Sequence, residues 1–220
     1  DEEREGDDRV RGETQVMQVA DRIIAATEAE CSQLEMLYGL NHQKVTIIPP
    51  GVDTHHFYPI PPDEAKEAIG ISPSDRMALF VGRIEPLKGV DTLIRAMSIL
   101  KKRCKSFACP DYLAIIGGDP EGETEKISGE MARLQALCGE LGLDDMVIFL
   151  GKRGQLTLPY YYSAAEVVVM PSFYESFGMV ALEAMACGTP VIASRVGGLA
   201  FLVKDGETGF YLNSVESNHI

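Results

Sequence analysis

The sequence predicts an α/β domain built on a doubly wound parallel sheet. Three observations lead there. Short runs rich in Val, Ile and Leu, such as "MALFV", "YLAII" and "EVVVM", lack the in–out alternation of a half-solvated strand, and unbroken apolar runs of that length belong to strands covered on both faces. Amphipathic helical stretches separate them, and strands that alternate with helices pair in parallel through right-handed crossovers. The clusters of distinctive polar residues fall just after strands, where such a sheet binds its ligands.

The elements follow in order. "RIIAAT" (22–27) reads as a strand. Thr27 with Glu30 makes a T-x-x-E capping box for the helix "EAECSQLEMLYG", which Gly39 ends. "KVTIIPPG" (44–51) is a second strand, and residues 49–62, with five prolines, read as an interdomain linker. "EAKEAIGI" is a short helix. Strands are then expected at 77–84, 112–118, 146–151, 166–172, 190–195 and 208–212. Between them come the helix 89–103, with apolar residues at 90, 93, 94, 97 and 100, and the helix 127–142, closing on Gly142. A helical turn "LTLPYYYSA", the helix "FGMVALEAMACG" and a short helix "GGLAFLV" complete the pattern.

The expected organisation is therefore residues 1–48 as the remnant of a first domain, 49–62 as linker, and 63–220 as a second domain. The first part is too small for a core of its own. One more covering helix is expected after the last strand, so the fold reads as incomplete at both ends.

Hydrophobic content of 45% and charged content of 24% are those of a soluble globular protein. No apolar run reaches the roughly 18 residues of a membrane span, and "DEEREGDD" is no signal peptide. A net charge of −13 argues against nucleic acid as a partner. The five cysteines form no C-x-x-C and read as reduced thiols of a cytoplasmic protein, with a Cys104–Cys109 pair as the alternative. The four histidines match no zinc-enzyme pattern; His55 and His56 read as a surface loop, and no metal is expected.

Four strand ends carry the candidate chemistry. After "ALFV" come Gly82, Arg83 and Lys88, beside a helix that opens at Gly89. Two cations at a helix N-terminus make an anion site, or are two solvated surface charges. After "LAII" come Gly117, Gly118, Asp119 and Pro120, a close backbone approach or an ordinary turn. Neither G-x-G-x-x-G nor G-x-x-x-x-G-K-[ST] is present. After "VIFL" come Gly151, Lys152, Arg153 and Gly154, a base-binding loop or a plain basic one. After "VVVM" comes Ser172 to Phe177, then Gly178, Met179 and Val180, whose N–H groups are orphan donors at a helix start.

Two acids stand out there, Glu175 before the apolar helix and Glu183 inside it. A buried carboxylate needs donors. Arg195 is one possible partner of Glu183; the vicinal hydroxyls of a ribose are the other. If the eight residues from one to the other are helical, they rise ~12 Å, a poor fit to two carboxylates flanking one glycosidic bond. That spacing suits two acids gripping opposite ends of an extended ligand, of which a nucleoside-diphosphate sugar is the simplest.

"ESFGMVALE" followed by "AMACGTPVIASRVGG", together with "FVGRIEPLKG", "IPPGVD" and "DGETGFYL", resembles the donor domain of retaining glycosyltransferases of family 4, which have the GT-B fold. The resemblance runs from about residue 15 to 212. Within the family the sequence is similar to sucrose-phosphate synthase-like enzymes and to mycothiol-pathway glycosyltransferases. The resemblance implies a Rossmann-like donor domain and transfer of a hexosyl group with retention of configuration. The donor would be UDP-glucose or UDP-GlcNAc.

It also implies roles. Arg83 and Lys88 would contact the diphosphate, Glu175 the sugar hydroxyls, and Ser176, Phe177, Gly178, Met179 and Val180 would lie along sugar and phosphate. Glu183 would hold the ribose, and Lys152 and Arg153 would meet the base, with Gly82, Gly117 and Gly118 also at the donor. No metal or other cofactor is implied. The acceptor, a sugar, sugar phosphate or cyclitol phosphate, would be bound mainly by the N-terminal domain, so this chain alone is expected to bind donor without efficient turnover. Two rival readings are a non-catalytic nucleotide-sugar-binding module and a nucleotide-sugar 2-epimerase-like enzyme.

Overall fold

The computed structural model describes residues 2–103, 109–118 and 125–212. The chain divides into two compact units, Asp1–Gly51 and Val52–Ile220. Asp119 and Pro120, singled out by the sequence, lie outside the described residues, as does Cys104.

The first unit holds helix α1 (Glu2–Val19), strand β1 (Ile23–Ala25), helix α2 (Glu28–Tyr38), a 3-10 turn (His42–Lys44) and strand β2 (Val45–Ile47). β1 and β2 pair in parallel, with Ile24 opposite Thr46. The capping box forms: the Glu30 N–H donates to Thr27 Oγ1 at 3.1 Å. Its return arm is displaced by one residue, because Glu30 Oε2 accepts from Ala26 N–H (2.6 Å) rather than from Thr27. Gly39 ends α2 in the left-handed region (φ 63). Helix α1 was not expected, since its sequence carries no apolar stripe. Local bonds support it instead: Arg9 pairs with Glu13 one turn on (2.7 Å), and the Lys44 ammonium donates to the terminal carbonyls of Met17 (3.0 Å) and Gln18 (2.7 Å).

The second unit is a six-stranded parallel sheet with helices on both faces. Its strands are β3 (Met77–Val81), β4 (Tyr112–Ile116), β5 (Val147–Gly151), β6 (Ala165–Met170), β7 (Val191–Ala193) and β8 (Gly209–Tyr211), in the order β5-β4-β3-β6-β7-β8. The helices are α3 (Pro62–Ala68), α4 (Val90–Arg103), α5 (Glu125–Leu141), α6 (Leu158–Ala164), α7 (Met179–Ala186) and the short α8 (Leu199–Leu202). The two-residue period of a strand sends alternate side chains to opposite faces. Ala78 and Phe80 of β3 pack in one core with Leu93, Ile94 and Leu134 of α4 and α5. Met77 and Leu79 pack in the other with Ala65, Tyr162 and Ala181 of α3, α6 and α7. Both faces are dry, which is why the strands read as unbroken apolar runs. Residues 52–61 fold into this unit, with Phe57 and Ile60 buried in its core.

Among the described residues no helix is long and apolar enough to cross a membrane. Cys31, Cys138 and Cys187 are buried free thiols. Cys109 is disulfide-bonded, so the expectation of uniformly reduced cysteines does not hold there.

Candidate functional site

The strand order reverses between β3 and β6. β4 and β5 follow β3 on one side, while β7 and β8 follow β6 on the other. The loops leaving these two central strands therefore diverge over opposite halves of the sheet and leave a crevice at its carboxyl edge. A cavity of about 280 Å³ lies there, lined by the β3 loop at Gly82, Arg83 and Lys88 and by Ser172 and the stretch from Glu175 to Val180 of the β6 loop and α7 start.

Close backbone contacts fix the two loops. The Phe173 N–H donates to the Leu87 carbonyl at 2.8 Å. Gly89 has φ 65, and a Cβ there would stand 2.2 Å from the Pro171 carbonyl oxygen, so only glycine permits this approach. The Lys88 ammonium donates to Glu175 Oε2 at 2.6 Å, with each side chain 15% exposed. The Glu175 carbonyl in turn accepts from Gly198 N–H (3.2 Å), on the loop after β7. Three strand ends thus converge on one acid.

Helix α7 begins open. Gly178 is its N-cap (φ 101), with no side-chain capping bond and no acid in the first turn. The Gly178 carbonyl accepts from Ala181 (3.0 Å) and Leu182 (3.3 Å). The N–H groups of Met179 and Val180 precede the first intrahelical bond and face no capping group. Orphan donors and a neighbouring ammonium suit an anion. Arg83 lines the same cavity from the exposed side and is paired with Glu85 of its own loop at 2.8 Å.

Glu183 is placed differently. Helix α7 covers Met179–Ala186, so Glu175 stands on the loop before it and the spacing of a continuous helix does not apply between the two acids. Glu183 is buried, and the Tyr162 hydroxyl donates to its Oε2 at 2.7 Å. Burial raises its pKa above the ordinary carboxylate value, opposed in part by the Tyr162 bond and the charge of His56. Arg195, the partner weighed from sequence, instead stacks over the Tyr211 ring at 5.6 Å. The sequence reading missed Tyr162. The signal was present in "LPYYYSA", because a tyrosine in a buried helix needs a partner for its hydroxyl.

Of the residues singled out by sequence, the cavity brings together Gly82, Arg83, Lys88, Glu175, Ser176, Phe177, Gly178, Met179 and Val180. Gly117, Gly118, Lys152, Arg153 and Glu183 are not in its lining. Gly117 supports the cavity from behind: a Cβ there would lie 1.8 Å from the Gly82 carbonyl oxygen, so the β4 end can pack directly against the β3 loop. Arg153 is exposed beyond β5, where its Nε donates to the Tyr161 hydroxyl at 3.0 Å.

Comparison with known proteins gives a consistent picture. Residues 62–220 match the family "Glycosyl transferases group 1". The chain is 44% identical over 201 residues to a D-inositol 3-phosphate glycosyltransferase of Actinosynnema mirum, covering 91% of this chain and 47% of that protein. A homologue from Acidothermus cellulolyticus is 42% identical over 205 residues, covering 93% and 45%. Among solved structures, sucrose-phosphate synthase from Thermosynechococcus elongatus superposes with a TM-score of 0.81 at 35% identity, covering 94% of this chain and 48% of that one. Anabaena HepE, solved in complex with UDP-glucose, superposes with a TM-score of 0.78 at 27% identity, covering 94% and 54%. The chain spans about half the length of the curated relatives it matches.

Proposed function

The chain belongs to the group 1 glycosyl transferases, and we propose that it supplies the donor-binding part of an enzyme that moves a hexosyl group from a nucleoside-diphosphate sugar to a hydroxyl acceptor. The observation that carries this reading is the cavity between β3 and β6, where Lys88, Glu175 and the uncapped start of α7 meet.

The diphosphate lies against the α7 N–H groups and draws Lys88 from Glu175, with Arg83 closing over it from the exposed side. Glu175, released, accepts hydroxyls of the sugar. As the bond from the anomeric carbon to the diphosphate breaks, negative charge grows on the phosphate. The cations and aligned N–H groups stabilise it more strongly than they do the ground state. The acceptor hydroxyl attacks from the same face with retention, and its proton passes to the departing phosphate oxygen. No divalent ion is invoked: among the described residues Glu175 is the one acid in the lining, and it already faces a cation.

UDP-glucose is the donor favoured by the HepE complex, with UDP-GlcNAc the alternative from the sequence resemblance. A cyclitol phosphate such as inositol 3-phosphate, or a sugar phosphate, is the acceptor class that the relatives suggest, held by the acceptor-side domain. A cytoplasmic setting is supported by three buried free thiols; the Cys109 disulfide points the other way. The test is turnover. The chain joined to an acceptor-side half, given UDP-glucose and inositol phosphate, releases UDP and forms an α-linked product. UDP binding with no transfer to any such acceptor would favour a binding module instead.

A further inference from the structure

The first unit holds a cluster of metal-ligating side chains that the donor reading does not use. Cys31 and Glu35 are one turn apart on α2, so they share a helix face. The chain leaves α2 at left-handed Gly39, and Asn41 then caps the next turn by accepting from Gln43 N–H at 2.9 Å. This tight return carries His42 back onto the same face. His42 Nδ1 lies 2.6 Å from Glu35 Oε1 and 3.6 Å from Cys31 Sγ, and Sγ lies 3.7 Å from Oε1. We propose that Cys31, Glu35 and His42 bind one zinc-class divalent ion, with water in the fourth position.

The donor set selects the ion. One sulfur, one imidazole nitrogen and one carboxylate oxygen suit a borderline-soft dication, whereas magnesium and calcium take oxygen ligands. A thiolate and a carboxylate together neutralise two positive charges. Zinc bond lengths of about 2.3 Å to sulfur and about 2.0–2.2 Å to nitrogen and oxygen, at tetrahedral angles, place sulfur about 3.6 Å from both other ligands and those two about 3.4 Å apart. The two sulfur distances already match. The third requires the 2.6 Å hydrogen bond between His42 and Glu35 to open by about 0.8 Å.

Burial fits an ion entering from outside. Cys31 is 2% exposed, while the His42 side chain is 71% and that of Glu35 35% exposed. The same burial weighs against a Cys–His–Glu nucleophile, whose sulfur a substrate would have to reach. Binding sends the thiol proton to the buffer as the sulfur–metal bond forms. The ion would join α2 to the turn before β2 in a unit whose sheet has only two strands. The spacing C-x3-E-x6-H matches no common zinc signature, which is why the sequence reading passed over it.

The proposal is independent of the donor site and is tested on the full chain with Co²⁺ and Zn²⁺ alone. The expected result is one ion per chain, with a thiolate-to-cobalt charge-transfer band and the visible bands of tetrahedral Co²⁺. Cys31→Ser removes the charge-transfer band. His42→Ala changes an exposed side chain and leaves the fold intact. It weakens Zn²⁺ binding by more than the roughly 10–100-fold that loss of an outer-shell partner costs. Absence of the charge-transfer band, or equal Zn²⁺ affinity in His42→Ala, would overturn the proposal.

Discussion

Lys88 and Glu175, 87 residues apart in sequence, meet at 2.6 Å at the mouth of the crevice between the two central strands. The pair joins the β3 and β6 loops, and it sets an ammonium and a carboxylate side by side in the cavity lining. Each side chain is 15% exposed. Their coupling should therefore exceed the about 0–1 kcal/mol of a surface pair and fall short of the about 3–5 kcal/mol lost on breaking a fully buried one. A double-mutant cycle of Lys88→Ala and Glu175→Ala, read by urea unfolding, is expected to give about 1–3 kcal/mol.

Glu175→Gln separates sugar from nucleotide. With its partner neutralised, Lys88 is freer to meet phosphate, so UDP binds as well as to the wild type or better. UDP-glucose loses a charge-assisted acceptor for its hydroxyls, worth about 1.5–3 kcal/mol or roughly 10–100-fold. Calorimetric titration of both ligands checks the opposed directions.

Glu183 predicts a pH dependence. Its carboxyl is raised above its ordinary value of 4.5, first by burial. Between the unfolded and folded pKa the native state holds a proton that the unfolded chain has lost, so stability falls as pH rises through that window. Glu183→Gln removes this slope. Tyr162→Phe removes the donor that favours the charged carboxylate, so it extends the window upward and costs about 1–3 kcal/mol near neutral pH. Urea melts at a series of pH values separate the three proteins.

Gly89→Ala tests the loop contact. The left-handed backbone alone costs about 1–2 kcal/mol for a residue with a Cβ. Here the Cβ would also meet the Pro171 carbonyl at 2.2 Å. The variant should melt several degrees lower and bind UDP more weakly, whereas alanine at Gly154, whose backbone is extended and whose surroundings are open, should do neither.

The sheet was legible because buried parallel strands must be apolar on both faces, so "MALFV" and "EVVVM" announced themselves. Crevice residues were legible because they follow those strands directly. What stayed hidden depends on contacts between distant residues or on backbone direction. The Lys88–Glu175 pair spans 87 positions. The Tyr162–Glu183 bond joins two helices, and Arg195 came into question as a protein partner because opposite charge is visible in a sequence while burial is not. Helix α1 lacks an apolar stripe and rests on Arg9–Glu13 and on Lys44 from a later turn.

The central claim is that Lys88 takes the diphosphate of a nucleotide sugar in this crevice. Titration of UDP into wild type and Lys88→Ala at low and high salt tests it directly. The account predicts roughly 10–100-fold weaker binding in the variant, with the gap narrowing as salt screens the charge. Equal affinity at both salts would remove Lys88 from the site and contradict the account.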